Sequence, residues 1–523
     1  MVFSPIKRVD KMNEKSRTSN SIKNIIFALC CQMLGALLGF VTKTIFLDIL
    51  GDTYNGMLGF FANIVSVLSL AELGLGAAIV FALYKPIAEK DIPRLQSLMG
   101  FYKKVYTYIA GVVLVVGLLF LPFLPLLMEE VTDGSKVYIY YVIYLLNTVT
   151  SYLFIYKSAL LNADQRNRIV RLVNMGYNVL RNAIEIGVLL LTHNFILYLF
   201  VQLCCTIANN FTISTIANKL YPWLKQAAEK LSKTETKKIF SDVKSVVLYK
   251  VGGVLLNNTD NLLITIIVGL VAVGYYSNYM MIVGLITTVL ELMFSAIAGS
   301  VGNLNASSSK EYSKRIYDII GFIGFWIYTF CAISMFVLID DVVLLWIGET
   351  RVLGKTVSLA LALNLFVIGL LQGTMVFRNT TGLFRKAKFI IIITAGVNIV
   401  LSIGLGYLGG IAGIVFATSI ARLTTNFWYE PYILYKDIFK VKAKGYFIKT
   451  AKYIFAALVA GGATYYLASL IDYTGFVSIL YKAIICVGVP NIILLVAFCR
   501  SKEFKELWVR LKAILRKTKQ VEK

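Results

Sequence analysis

The chain has one histidine, eight prolines and only 28 acidic residues to set against 52 basic ones. The lone His193 cannot build a metal cluster or a Ser/His/Asp set, and no phosphate-cradling glycine loop is present. The seven cysteines, Cys30, Cys31, Cys204, Cys205, Cys331, Cys486 and Cys499, all fall in apolar runs. There a thiol acts as a small apolar side chain, so neither a disulfide nor a metal site is expected. Charge is scarce too: 15% of residues are charged against 58% hydrophobic, with mean hydropathy +0.74. That balance excludes a soluble domain, which needs more polar residues to cover its surface. Missing as well is a large polar loop between runs on one side, the longest being around 340–355. Membrane polymerases and ligases of lipid-linked sugars usually carry catalytic groups on such a loop. An enzyme is therefore not expected.

What the chain does have is apolar runs long enough to cross about 30 Å of hydrocarbon as helices. Fourteen are expected, at 24–48, 56–84, 105–128, 137–161, 170–191, 195–219, 245–268, 273–300, 316–345, 356–378, 387–407, 410–433, 448–470 and 476–499. They do not alternate every second residue, which argues against a membrane β-barrel. Of the 52 Lys and Arg residues, 44 fall in the termini and alternate loops on one side of this zigzag. Only Lys136, Arg351 and Lys355 fall on the other side, and five lie inside spans. The positive-inside rule then places both termini in the cytoplasm of a multi-pass plasma-membrane protein. The net charge of +24 is spread around that rim, where it orients helices and attracts anionic membrane lipids. Nucleic acid is not an expected partner. The first apolar run is too long for a cleavable signal peptide.

A faint repeat crosses the polar segment 220–243. Gly51 and Gly56 bracket a turn after span 1, as Gly269 and Gly274 do after span 7, and Glu72 and Glu291 follow 16 and 17 residues later. The predicted fold is an all-α polytopic membrane protein of 14 transmembrane helices, with two six-helix lobes related by a parallel internal repeat and two C-terminal helices. The expected organisation is an N-lobe at 1–219, a linker at 220–243, a C-lobe at 244–445, spans 13 and 14 within 446–500, and a basic amphipathic tail at 501–523. In the tail, Phe504, Leu507, Trp508, Leu511, Ile514 and Leu515 share one helical face, which reads as a helix on the cytoplasmic leaflet or a solvated extension.

Ionisable residues at mid-depth are the informative ones, since each costs about 2.5–3.5 kcal/mol on insertion scales and normally faces a wet or protein-lined interior. Glu72, Arg181, Glu185, Asp260, Glu291 and Arg422 sit deep. Arg181 and Glu185 stand one turn apart, as an internal ion pair would. Asp260 lies in the polar run Asn257, Asn258, Thr259, Asp260 and Asn261, which reads as a local break lining a cavity. These residues are the substrate-cavity candidates. Lys43, Lys250 and Lys482 lie nearer the interfaces, where snorkelling accounts for a charge; Lys43 and Lys250 are also candidate head-group contacts. Tyr275, Tyr276 and Tyr279 read as an interfacial belt.

These features resemble the capsule and O-antigen repeat-unit flippases of the multidrug/oligosaccharidyl-lipid/polysaccharide exporter superfamily. The resemblance rests on Ile49, Leu50 and Gly51 through Gly56, on Glu72 through Gly76 with Tyr84, Lys85 and Pro86, and on Thr259 through Ile264 with Val273 through Tyr276. Gly382, Lys386, Asn398 and Gly410 through Gly413 add to it. It implies alternating access for an undecaprenyl-diphosphate-linked oligosaccharide, passed from the inner to the outer leaflet. Lys85, Lys103, Lys104, Arg385 and Lys386 would gather the diphosphate at the entrance, with polysaccharide polymerase and glycosyltransferases as partners in the pathway. No cofactor is expected beyond a coupling ion, H+ or Na+, carried by Glu72, Asp260 or Glu291. The alternative within the superfamily is a cation-coupled drug or small-molecule antiporter.

Overall fold

A computed structural model describes residues 32–68, 82–84, 86–87, 89–127, 134–164, 166–225, 231, 236, 251–256, 258–307, 309–381, 383–471, 473 and 475–519. The described residues are almost entirely helical and contain no strand, as lipid demands of a backbone that must bond to itself. Eight described helices are long and apolar enough to cross a membrane, and a pair bent by 40° between Tyr152 and Ile155 makes a ninth. The protein is thus an all-α, multi-pass membrane protein. Parts of expected spans 1, 2 and 7 lie outside the described residues.

The chain divides into two compact units, Met1–Tyr54 with Leu68–Lys244, and Asn55–Val67 with Ser245–Lys523. Helix α1 (Gln32–Leu50) is followed by α2 (Asp52–Leu68), of which Asn55–Val67 belongs to the second unit. The first unit continues with α3 (Ile92–Leu119), α4 (Gly134–Tyr152), α5 (Ile155–Ala163), α6 (Asn167–Thr192) and α7 (Phe195–Leu220). Asp91 caps α3 by accepting from the Arg94 amide at 3.0 Å, with Pro93 in the first turn. His193 ends α6 in the left-handed conformation, and Asn194 starts α7 by accepting from the Ile196 amide at 2.8 Å. The one histidine of the chain is thus part of a two-residue turn. Rings of Phe46, Tyr54, Tyr140, Phe195 and Tyr198 pack around that end of the unit, with centroids as close as 4.8 Å.

The second unit holds α8 (Asp260–Ile267), α9 (Leu270–Ser307), α10 (Lys310–Ile347), α11 (Lys355–Thr381), α12 (Phe384–Thr424), α13 (Asn426–Leu434), α14 (Lys444–Ser469), α15 (Gly475–Phe498) and α16 (Lys502–Lys519). Helices α10 and α11 meet through small residues. A Cβ at Gly369 would sit 2.2 Å from Tyr328 Cβ, and one at Gly373 would sit 3.0 Å from Gly321 Cα. Close approach of this kind replaces the hydrophobic drive that helices lack inside lipid. The long α12 is two helices folded back at Gly409 and Gly410, the latter at φ +56°. This turn separates expected spans 11 and 12.

The proposed repeat has a geometric counterpart. Gly51 (φ +84°) and Gly269 (φ +123°) both turn the chain in the left-handed region, one before α2 and the other before α9. Gly56 then lies so near α9 that a Cβ would stand 2.2 Å from the Leu270 carbonyl oxygen. Beside it the fully buried Asn55 donates from Nδ2 to the Gly274 carbonyl at 2.8 Å and to Asn278 Oδ1 at 3.1 Å.

Three surface readings change. The tail helix α16 does not simply lie on the leaflet. Phe504 and Leu507 join a buried cluster of Phe322, Phe325, Tyr453 and Leu494, and Lys449 bridges Asp318 at 2.8 Å and Glu503 at 2.7 Å. Protein therefore covers the part of the apolar face formed by Phe504 and Leu507, because ion pairs hold the helix against α10 and α14. Tyr276 and Tyr279 are buried within the protein and do not form an exposed belt. The Tyr279 hydroxyl donates to Asp340 Oδ1 at 2.7 Å and accepts from the Leu353 amide at 2.9 Å. Lys482 does not snorkel alone but pairs with Asp341 at 2.7 Å.

Candidate functional site

Asp260 opens α8 just after a bend at Thr259, and its side chain is buried in the second unit. The arms of α12 bring Asn398, Ser402, Thr418 and Arg422 to the same region. Asn398 is fully buried. Its Oδ1 accepts from Ser402 Oγ at 3.3 Å and from Thr418 Oγ1 at 3.2 Å, and its Nδ2 reaches the Leu256 carbonyl at 3.4 Å. Arg422 is buried, donates to Asn364 Oδ1 at 2.8 Å, and lies close enough to Asp260 to attract its carboxylate. Thr418 also faces that carboxylate. One oxygen, Oδ1 of Asp260, nevertheless has no hydrogen-bond partner. A buried carboxylate oxygen left unsatisfied among hydroxyl and amide oxygens is costly unless a proton or small cation completes it.

A second polar surface lies in the first unit. Along α6, Asn174, Tyr177, Asn178, Arg181, Asn182 and Glu185 recur every three to four residues, so they share a face. With Cys205, Thr206 and Asn209 of α7, four of them (Asn174, Tyr177, Asn178 and Arg181) line a pocket of about 170 Å³. The Arg181–Glu185 pair forms, at 3.5 Å, with the arginine side chain 39% exposed and the glutamate 3%. Asn182 ties this face to α1, its Oδ1 accepting from Thr42 Oγ1 at 2.7 Å. Asn209 donates to Asn174 Oδ1 at 2.9 Å.

The structure thus brings Asp260 together with Arg422, and Arg181 with Glu185. Glu291 stays apart from the Asp260 cluster, exposed on α9. Asn258 donates back to the Val254 carbonyl at 3.2 Å. Lys43 is half-buried on α1 with its ammonium 5.9 Å from the Phe46 ring centre. Lys386 is tied to Asp437 at 2.7 Å, and this ammonium holds the Asp437 carboxyl below the usual carboxylate range. Glu72, Lys85, Lys250 and Asn257 lie outside the described residues, as does the side chain of Arg385.

Sequence reasoning missed Asn364, Ser402 and Thr418 and named Asn398 only within the family resemblance, although Asn398 and Ser402 sit one turn apart in an apolar run. It also missed the asparagine stripe of α6, whose helical spacing was readable. Among the described residues no group of His, Cys, Asp and Glu is arranged to hold a metal ion.

The described helices carry one polar cluster in each unit, on a fold shared with solved flippase and transporter structures. The solved structure of the lipid II flippase MurJ, in an inward closed conformation, superposes with TM-score 0.67 at 15% identity, covering 90% of this chain and 98% of its own. An inward-facing multidrug resistance MATE transporter of the MOP superfamily gives TM-score 0.58 at 16% identity, covering 78% and 97%. The MATE transporter VcmN of Vibrio cholerae gives 0.55 at 15%, covering 79% and 96%. No curated protein sequence matches the chain. Residues 21–298 match the family described as polysaccharide biosynthesis protein, and the chain belongs to that family.

Proposed function

We propose that the protein is a flippase that moves undecaprenyl-diphosphate-linked oligosaccharide repeat units from the inner to the outer leaflet, for capsule or exopolysaccharide assembly. The observation that carries this reading is the pairing of polysaccharide-biosynthesis family membership with a fold like that of a lipid II flippase. The physical task is consistent with it. Lipid tails cross a bilayer readily, but a diphosphate-sugar head does not, so the protein must offer a polar path opened to one side at a time. The polar face of α6 supplies amide, hydroxyl and guanidinium groups of the kind such a head requires. We assign the Asp260 cluster the second task, binding the coupling ion, H+ or Na+.

The decisive experiment is deletion of the gene in a strain without a second flippase. Loss of surface polysaccharide with lipid-linked units accumulating on the cytoplasmic leaflet is expected. Normal surface glycan in that strain would overturn the proposal.

A second reading, a cation-coupled antiporter of drugs or other small molecules, is favoured by the unsatisfied Asp260 oxygen and the likeness to MATE transporters. Gradient-driven drug efflux from vesicles, without any effect on surface glycan, would select it.

A further inference from the structure

A pocket of about 940 Å³ lies wholly within the first unit and shares no lining residue with the α6 pocket. It is framed by α3, by α5, by the end of α7 and by the short helical turn Pro222–Lys225. Three ammonium groups line it, Lys103 and Lys104 on α3 and Lys157 on α5, and none of its described lining residues is acidic. Lys157 is held in place, its Nζ donating to Ser214 Oγ at 2.6 Å and standing 5.7 Å from the Tyr156 ring centre. Gln96, also on α3, ties the Pro222–Lys225 turn to that helix, its Nε2 donating to the Trp223 carbonyl at 3.1 Å. The walls thus combine concentrated positive charge, amide and hydroxyl groups, and the rings of Tyr108, Tyr156 and Trp223.

Surface lysines that only set topology need no hollow between them and no shared ring-lined wall. Here they converge on a volume of the size that takes a small-molecule head, about 300–1,000 Å³ in general. Lysines act as point charges on phosphates, and flat aromatic faces suit the apolar faces of sugar rings. By the charge asymmetry of the loops, all three lie toward the cytoplasmic face.

We propose that this pocket is a loading site for a diphosphate-linked sugar head, which Lys103, Lys104 and Lys157 capture before transport. The inference rests on the flippase reading for the identity of the head, since a lipid-borne and a free diphosphate share the same recognition chemistry. The lysines act together. Each neutralises part of the diphosphate charge, while the rings and Gln96 contact what is attached to it.

The test uses the full-length protein in neutral-lipid nanodiscs, with farnesyl diphosphate, inorganic pyrophosphate and farnesol as probes. Both diphosphates should bind and farnesol should not; tighter binding of farnesyl diphosphate identifies the lipid-borne source, and equal binding the soluble one. The triple variant K103Q/K104Q/K157Q should weaken diphosphate binding by roughly tenfold or more, as expected for the loss of charge-assisted contacts. A control with the same charge change elsewhere, K442Q/K444Q/K502Q, should bind as the wild type does. Unchanged affinity in the first variant, or equal loss in the control, would overturn the loading site and leave the flippase reading intact. Intact diphosphate binding in a protein that moves no lipid-linked glycan would sink the flippase reading instead.

Discussion

Arg378 Nη1 donates to Glu430 Oε2 at 2.6 Å, and both side chains are buried, at 7% and 2% exposure. The two residues tie the last turn of α11 to the middle of α13, joining segments 52 residues apart. Removing one partner takes this counterion from a buried charge, a loss of about 3–5 kcal/mol in comparable cases. Arg378→Met alone, or Glu430→Leu alone, should therefore sharply lower the thermal unfolding midpoint of detergent-purified protein. The double variant should recover most of that loss; if it is as unstable as the worse single variant, the pair is not the source of the effect.

Asp260→Asn keeps the shape of the buried cluster and removes its charge. Transport in proteoliposomes should lose its dependence on an imposed H+ or Na+ gradient, with the amount of protein in the membrane unchanged. Wild-type gradient dependence in this variant would remove Asp260 from the coupling role. Glu291→Gln serves as the comparison, since that exposed side chain stands outside the cluster.

Gly413 faces Leu405 across the α12 turn so closely that a Cβ would lie 1.9 Å from the Leu405 carbonyl oxygen. Gly413→Ala must spread the two arms and disturb the Asn398–Thr418 contact between them. A destabilisation of about 1–3 kcal/mol or more is expected from overpacking of this kind. Gly396→Ala has open space around it and should be mild by comparison. Thermal unfolding of the two variants, measured side by side, checks the difference.

Lys449 joins Asp318 and Glu503, fastening α16 to the second unit. Lys449→Met should release the helix and expose the 502–519 segment to limited proteolysis while the transmembrane core stays resistant. Undiminished protection of that segment would mean that Phe504 and Leu507 suffice to hold it.

The Lys386–Asp437 pair has a pH signature. Its carboxyl is held below the ordinary carboxylate range by the lysine, so its stabilisation is full above that range and fades as pH falls through the lowered value. The pair is largely exposed, so the effect amounts to about 1 kcal/mol at most. Lys386→Gln should flatten this small acid-side slope in unfolding measurements between pH 5 and 3, values chosen to bracket the usual carboxylate titration.

Much of the frame was legible in the apolar runs. Gly51 and Gly269 stood out by their equal spacing from Gly56 and Gly274, and both prove to be left-handed turns. Arg181 and Glu185 were readable as a pair because one helical turn brings them together whatever else packs nearby. Asp260 was recognised by the run of five polar residues it belongs to, but its neighbours in space were not. Arg422 and Asp260 are far apart in sequence, and only the fold-back of α12 at Gly409 and Gly410 brings Arg422 to α8. The tail displayed its apolar face in sequence without showing that Phe504 and Leu507 were to cover Phe322 and Phe325.

The sequence alone determined that this chain lives in a membrane, because hydrocarbon thickness sets helix length and the cost of moving charge across lipid sorts basic residues to one side. Tertiary structure decided which buried polar groups meet. Helix packing joins residues hundreds of positions apart through small side chains and sharp turns, and periodicity along one helix carries no record of which face of another it will touch.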